Sequence, residues 1–403
     1  MAATIVQIIP RLDTGGAEMA TLEITGALAQ AGARAIVLSE GGRLAEAVQE
    51  AGGEWVSFPA ATRNPVRIFG NVGHLTRFLT ENGADLIHAR SRAPAWSAAA
   101  AARRTHIPFV TTYHGAYSAG SRLKNAYNGI MAQGDRVIAN SRYTADLIRR
   151  RHGTGENRLR IIHRGVDLKT FDAAKVRASR VAKLKQSWGV KDGDKIVLHA
   201  ARLTGWKGQR VVIEATQRLL GQGGLEGVAI ILAGDAQGRE DYRRELEAQI
   251  AASGLEGVVR LAGHCDDVPA AFAAAHVALV ASTEPEAFGR AAIEAQAMGC
   301  PVIAAELGAV PETVLAPPAV KPGAATGWLV PPGEPIQLAD TLAACLGLSA
   351  GKRREIGRRA RAHVAQNFSL EEMRSATLDV YRELLGDKLR APPRAAARAK
   401  KSG

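Results

Sequence analysis

Two glutamates eight positions apart, Glu286 and Glu294, lie in the segment Ser282-Thr283-Glu284-Pro285-Glu286-Ala287-Phe288-Gly289-Arg290-Ala291-Ala292-Ile293-Glu294. The first would stand on a loop, the second about one and a half turns inside the helix that follows. A carboxylate on an otherwise apolar helix is destabilising when buried alone, and hydroxyls of a sugar or ribose would satisfy it. Arg202-Leu203-Thr204-Gly205-Trp206-Lys207-Gly208 puts two cations on one loop ahead of a helix. Both could reach a diphosphate, Arg through a fork of donors and Lys as a point charge. Taken alone, that pair would be better read as two solvated surface cations. Gly15-Gly16 opens another helix, where backbone amides and the helix N-terminus favour an anion. A tight turn explains those glycines equally well, and no G-x-G-x-x-G fingerprint is present.

These residues need a scaffold that brings loop ends together. Apolar runs alternate with helical stretches along the chain. Strands are expected at 4–9, 35–38, 54–58, 85–89, 109–113, 136–139 and 159–162, with helices between them, among them one at 42–51. After Gly165-Val166-Asp167 a charged helical stretch, 173–188, is expected to link to a second alternation. Its strands are expected at 195–200, 228–233, 258–261, 277–281, 301–304 and 327–330. Continuous apolar strands separated by helices imply parallel strands covered on both faces, which is α/β architecture with two doubly wound sheets. Such sheets bind ligands beyond the carboxyl ends of their strands, where Arg202, Lys207 and Glu286 fall. The expected organisation is a first domain at 1–170, a linker at 171–190, a second domain at 191–368, a helix at 369–386 and a disordered basic tail at 387–403.

The strand followed by Glu-x-Phe-Gly-x4-Glu-Ala-x-Ala-x-Gly resembles the Glu-x7-Glu signature of the retaining GT-B glycosyltransferases of family 4. Gly15-Gly16-Ala17-Glu18, Thr111-Thr112-Tyr113-His114-Gly115, Asn140-Ser141, Gly165-Val166-Asp167, Arg202…Lys207-Gly208, Gly234-Asp235 and Gly263-His264 fall in the family's order. The resemblance implies two Rossmann-like domains facing a central cleft, a sugar donor carried on UDP, GDP or ADP, and transfer of a hexose without metal or other cofactor. By it, Gly15 and Gly16 would approach the donor, Arg202 and Lys207 would neutralise its diphosphate, and Glu294 would bind ribose. Glu286 would hold the sugar hydroxyls, with Phe288 and Gly289 donating backbone amides near the phosphates. Gly234 and His264 would complete the donor site, and His114 would act beside the transferred sugar. His88, Arg90 and Arg92 would face the acceptor. The final helix would return to the first domain.

The charge is unevenly placed. The net charge is +13; residues 1–185 carry 26 Lys+Arg against 14 Asp+Glu, and 186–386 carry 20 against 24. A basic surface attracts acidic glycans, anionic lipids or nucleic acid. The expected partners are a glycan or glycolipid acceptor and an anionic membrane surface. The segments around His88 and Thr112-Tyr113-His114-Gly115 are similar to those of lipopolysaccharide-core transferases. Three scattered cysteines, Cys265, Cys300 and Cys345, argue against a disulfide framework or a structural zinc. No run of about 18 apolar residues is present. A cytoplasmic enzyme, peripheral on the inner face of the inner membrane, is expected. The alternatives are a sugar-nucleotide epimerase on the same fold and a non-enzymatic nucleic-acid-binding protein. The latter is disfavoured, because no helix-turn-helix, finger or aromatic RNA platform is evident.

Overall fold

The structure, a computed structural model, describes residues 2–13, 15–117 and 120–389. It divides into two compact units, one formed by residues up to His163 together with those from Glu371, the other by Arg164–Leu370.

The first unit holds strands β1 (Thr4–Ile8), β2 (Arg34–Ser39), β3 (Glu54–Ser57), β4 (Leu86–Ala89), β5 (Phe109–Tyr113), β6 (Arg136–Ala139) and β7 (Leu159–Ile161). They form a seven-stranded sheet in the order β3-β2-β1-β4-β5-β6-β7. Every pairing in it is parallel. The apolar runs explain this: Ile5, Val6 and Ile8, like Leu86 and Ile87, are fully enclosed, so both faces must be covered by helices. Helix Leu370–Leu385 belongs to this unit from Glu371 onward. It is pinned by Tyr381, whose hydroxyl shares a 2.6 Å hydrogen bond with His88 Nδ1 on β4. The other nitrogen of that ring meets Thr112 Oγ1 on β5 at 2.7 Å. Glu383 on the same helix takes hydrogen bonds from Arg136 and Arg160, each at 2.7 Å.

The second unit repeats the plan with β8 (Lys195–Ala200), β9 (Val228–Ala233), β10 (Val259–Gly263), β11 (Val277–Val280), β12 (Val302–Ala305) and β13 (Trp328–Val330). Its six strands are ordered β10-β9-β8-β11-β12-β13, again all parallel. In each sheet the order reverses once, between β1 and β4 and between β8 and β11. Connections leave in opposite directions there, opening a crevice beyond the strand ends.

Two expectations need correction. Residues 171–190 are not a free linker. Trp188 and Val190 lie in the core beside Ile196 and Leu198, and Arg180 clamps Asp267 through two hydrogen bonds of 2.6 and 2.7 Å. The stretch reads as charged because six of its twenty residues carry charge, yet apolar ones, Trp188 and Val190 among them, are buried. The helix expected at 42–51 runs only from Ala45 to Glu50, since the Leu44 N–H is taken by the Leu12 carbonyl at 2.8 Å. Of the expected basic tail, Gly386–Lys388 forms a short 3-10 turn and Lys388 pairs with Asp85 at 2.8 Å. Residues 390–403 lie outside the described residues.

The Tyr381–His88 contact can be tested without touching the second unit. Tyr381→Phe removes the hydroxyl that bonds His88 Nδ1, a loss of about 1–3 kcal/mol. Amide hydrogen exchange in β4 and β5 is expected to quicken accordingly, about five- to a hundredfold. Unchanged exchange would show that apolar packing alone holds the helix.

Candidate functional site

The crevice between β8 and β11 gathers the charged residues of the second unit. The chain leaves β8 through Ala201-Arg202, then makes a single 3-10 turn, Gly205–Lys207, before helix Gln209–Gly221. Gly208 joins the two with φ +80°, and a Cβ there would lie 1.8 Å from the carbonyl oxygen of Ala281 at the end of β11. Only glycine lets the turn sit this low on the neighbouring strand. Thr283 N–H donates to the Trp206 carbonyl at 2.8 Å, and Gln209 Nε2 donates to the Arg202 carbonyl at 2.9 Å. The first bond ties the two loops together through their backbones, and the second braces the 202–208 loop internally.

That closeness brings Lys207 to Glu286. Lys207 Nζ donates to Glu286 Oε1 at 2.5 Å, and Ser282 Oγ donates to the same oxygen at 2.6 Å. The side chains are 17% and 11% exposed, so the pair is mostly, but not wholly, withdrawn from water. The ammonium also lies 4.3 Å from the centre of the Trp206 ring. Glu286 is fixed from behind, where Ala309 N–H donates to its carbonyl at 2.9 Å. Burial alone would push its carboxyl pKa up. Lys207 and the Ser282 hydroxyl more than offset this and hold it below the usual carboxylate range. It is an ionised acceptor.

Helix Arg290–Ala297 begins at Gly289, whose φ of +86° turns the chain into its first turn. Glu294 sits one turn in, paired with Arg290 Nη2 at 2.9 Å and Nε at 3.0 Å. The Phe288 side chain points into the core against Phe368 (ring centres 5.7 Å apart), so any ligand contact from this residue must come from its backbone. Arg202 is exposed at the mouth of β8, 3.4 Å from Gln237 Oε1. Gly234 follows β9 and His264 follows β10; the latter is half exposed, with Nε2 3.1 Å from Asp266 Oδ1. Arg202, Lys207, Gly234, His264, Glu286, Gly289 and Glu294 thus all lie beyond the carboxyl ends of their own sheet's strands or at the helix that follows.

In the first unit Gly15 is the N-cap of helix Gly16–Gln30, just beyond β1, and His114 follows β5, half-buried. The three residues expected at an acceptor surface are placed differently. His88 is fully enclosed between Tyr381 and Thr112. Arg90 is buried, with Nε donating to Gln7 Oε1 at 3.0 Å. Arg92 Nη1 donates to Asn128 Oδ1 at 2.8 Å, and its guanidinium lies 4.1 Å from the centre of the Tyr117 ring. His88 and Arg90 are therefore enclosed within the first unit, on and just beyond its central strand β4.

Three residues escaped the sequence reading. Ser282 and Arg290 each stand four positions before the glutamate they hold, a spacing that could have pointed to them. His199 on β8 is buried, its Nδ1 donating to the Leu279 carbonyl at 3.0 Å. Burial pushes its pKa down to about 4, so the ring is neutral beneath the Lys207 turn. Nothing in its sequence context marks it.

Comparison with known proteins settles the family. The family model described as Glycosyltransferase Family 4 matches residues 14–170, and that described as Glycosyl transferases group 1 matches 181–363. A solved glycosyltransferase from Rickettsia africae is 30% identical, with a TM-score of 0.86 over 96% of this chain and 99% of that one. The chain belongs to the family 4 glycosyltransferases. Its two parallel-sheet units are the GT-B fold. HepE of Anabaena, solved with UDP-glucose, is 27% identical with a TM-score of 0.81, over 94% of this chain and all of that one. The D-inositol 3-phosphate glycosyltransferase of Mycobacterium tuberculosis is 32% identical over 64% of this chain. The chain spans about half the length of the curated relatives it matches, 50% in that case.

The Lys207–Glu286 pair makes a signed prediction. With Lys207 present, Glu286 stabilises the fold above the unfolded carboxyl pKa, and that stability is lost as pH falls through the lower folded pKa. Lys207→Met removes the dominant opposing charge and leaves burial in control, so the folded pKa should rise above the unfolded one. Stability measured from pH 4 to 7, relative to wild type, should then fall with rising pH. A parallel pH profile in the variant would show that Lys207 does not govern the carboxylate.

Proposed function

We propose that the protein transfers a hexose from a nucleotide-diphosphate sugar to a glycan or glycolipid acceptor, with retention of anomeric configuration and without a metal ion. The observation that carries this is the switch-point cluster of the second unit. An ammonium and a guanidinium stand on one loop, and an ionised carboxylate on the next. Departure of a nucleoside diphosphate leaves negative charge on phosphate and positive charge at the anomeric carbon. Arg202, Lys207 and the N-termini of helices Gln209–Gly221 and Arg290–Ala297 supply positive potential for the first. Glu286 and Glu294 suit hydroxyls of sugar and ribose. Glu286 is proposed as a hydroxyl acceptor and not a nucleophile, since one of its oxygens already takes two hydrogen bonds. For Gly15, Gly16 and His114, contact with the donor is proposed on the family resemblance.

UDP-glucose is the first donor to test, because HepE was solved with it; GDP- and ADP-sugars are the alternatives. The excess of Lys and Arg in residues 1–185 favours an acidic or phosphorylated acceptor, such as a lipid A–core glycolipid. The mycobacterial relative's name, which specifies inositol 3-phosphate, supports a phosphate on the acceptor. Among the described residues no helix is long and apolar enough to cross a membrane. The proposed location is cytoplasmic and peripheral to the membrane.

Thermal-shift titration with UDP, GDP, ADP and their sugar conjugates tests the donor site. Stabilisation by one base is expected and should persist in EDTA. Arg202→Ala with Lys207→Ala should weaken that binding by about tenfold or more, as each lost charge-assisted hydrogen bond is worth about 1.5–3 kcal/mol. A folded protein that none of these ligands shifts would overturn the reading. Proton NMR of the product reports the anomeric configuration, and a new sugar nucleotide formed without acceptor would point to an epimerase instead.

A further inference from the structure

Helices Pro65–Glu81, Arg92–Thr105 and Arg122–Gly129 follow β3, β4 and β5 of one parallel sheet, so all three begin at the same edge of it. The first two pack against each other. The second meets the third through the stacked rings of Trp96 and Tyr127, centres 6.2 Å apart, and through Arg92 and Asn128. Their sequence has no carboxylate at all between Glu54 and Glu81, nor between Asp85 and Asp135, although the chain as a whole holds 39 acids. Nine Lys and Arg residues fall in those same two intervals.

The surface these acid-poor segments form also exposes large apolar side chains. Val66 is 79% exposed, Phe69 74% and Leu123 84%. In the first turns of helix Pro65–Glu81 only Ile68 is half-buried, and full burial begins at Asn71 and Val72. Arg63 and Arg67 flank Val66 and Phe69, while Arg122 and Lys124 flank Leu123; all four cations are exposed. Apolar tips set among exposed cations match a bilayer interface. A second copy of the chain would bring like charge against like charge.

We propose that this face docks on a bilayer rich in anionic phospholipid, with Val66, Phe69 and Leu123 entering the boundary between headgroups and acyl chains. Arg63, Arg67, Arg122 and Lys124 engage the lipid phosphates. The proposal deepens the glycolipid reading by naming the surface that brings the enzyme to its acceptor. Its test needs no turnover.

Co-sedimentation of the full chain with vesicles of phosphatidylcholine alone, or with phosphatidylglycerol added, measures the docking. Wild type should bind the anionic vesicles and release from them as salt rises. Val66→Ser with Phe69→Ser and Leu123→Ser should weaken that binding about tenfold or more. The variant should keep its circular dichroism and its thermal shift with UDP. Leu220→Ser with Ile336→Ser, which removes exposed apolar residues of the second unit, should bind as wild type does. Emission of a Phe69→Trp variant should be quenched by brominated lipid. Equal binding to phosphatidylcholine alone, no binding at low salt, or undiminished binding by the triple serine variant would each overturn the proposal. So would a dimer in solution that the triple variant dissolves. Loss of the UDP response with vesicle binding intact would instead count against the donor site.

Discussion

A carboxylate can be kept ionised in a half-dry crevice only if a cation is held against it, and the second unit is arranged around that requirement. Lys207 and Glu286 are 79 residues apart in sequence. They meet because β8 and β11 are neighbours at the point where the strand order reverses, and because Gly208 lets one loop rest directly on the end of the other strand. Ser282 then donates to the carboxylate, while the Ala309 N–H holds the Glu286 backbone carbonyl. Each of these contacts would be of little use without the parallel sheet that sets the two strand ends side by side.

The first unit has the same reversal of strand order and uses it differently. Between β1 and β4, Arg90 donates to Gln7, and Gln7 Nε2 in turn donates to Thr25 Oγ1 at 2.9 Å. All three side chains are buried. The switch point there carries a buried polar network, whereas that of the second unit leaves Lys207, Glu286 and Arg202 with access to solvent. One topology thus gives a self-satisfied network in one unit and an incompletely satisfied one, able to take a ligand, in the other.

What could be read from the sequence follows from what each residue packs against. All thirteen strands were legible: the central ones, covered on both faces, show as unbroken runs such as Val228–Ala233, and the half-exposed edge strands fall in the alternation around them. The loop cations and glutamates were legible because their types and spacing carry the chemistry. His88 and Arg90 were misplaced for the opposite reason. Polar types suggest solvent, and what makes them interior is Tyr381, 293 residues away from His88, and Gln7, 83 from Arg90. No local pattern records a partner at that distance. The stretch 171–190 failed similarly, since Trp188 and Val190 find their cover only in the second unit's core.

The division of the first unit into two sequence segments has a consequence for synthesis. A chain emerging from the ribosome presents residues 1–163 first, yet the helix that satisfies His88 arrives only after all of 164–370. The second unit, continuous in sequence, has its full set of strands beforehand. The order in which the units can be completed is therefore the reverse of the order in which they begin, and the earlier sheet must wait for the helix whose Tyr381 bonds His88.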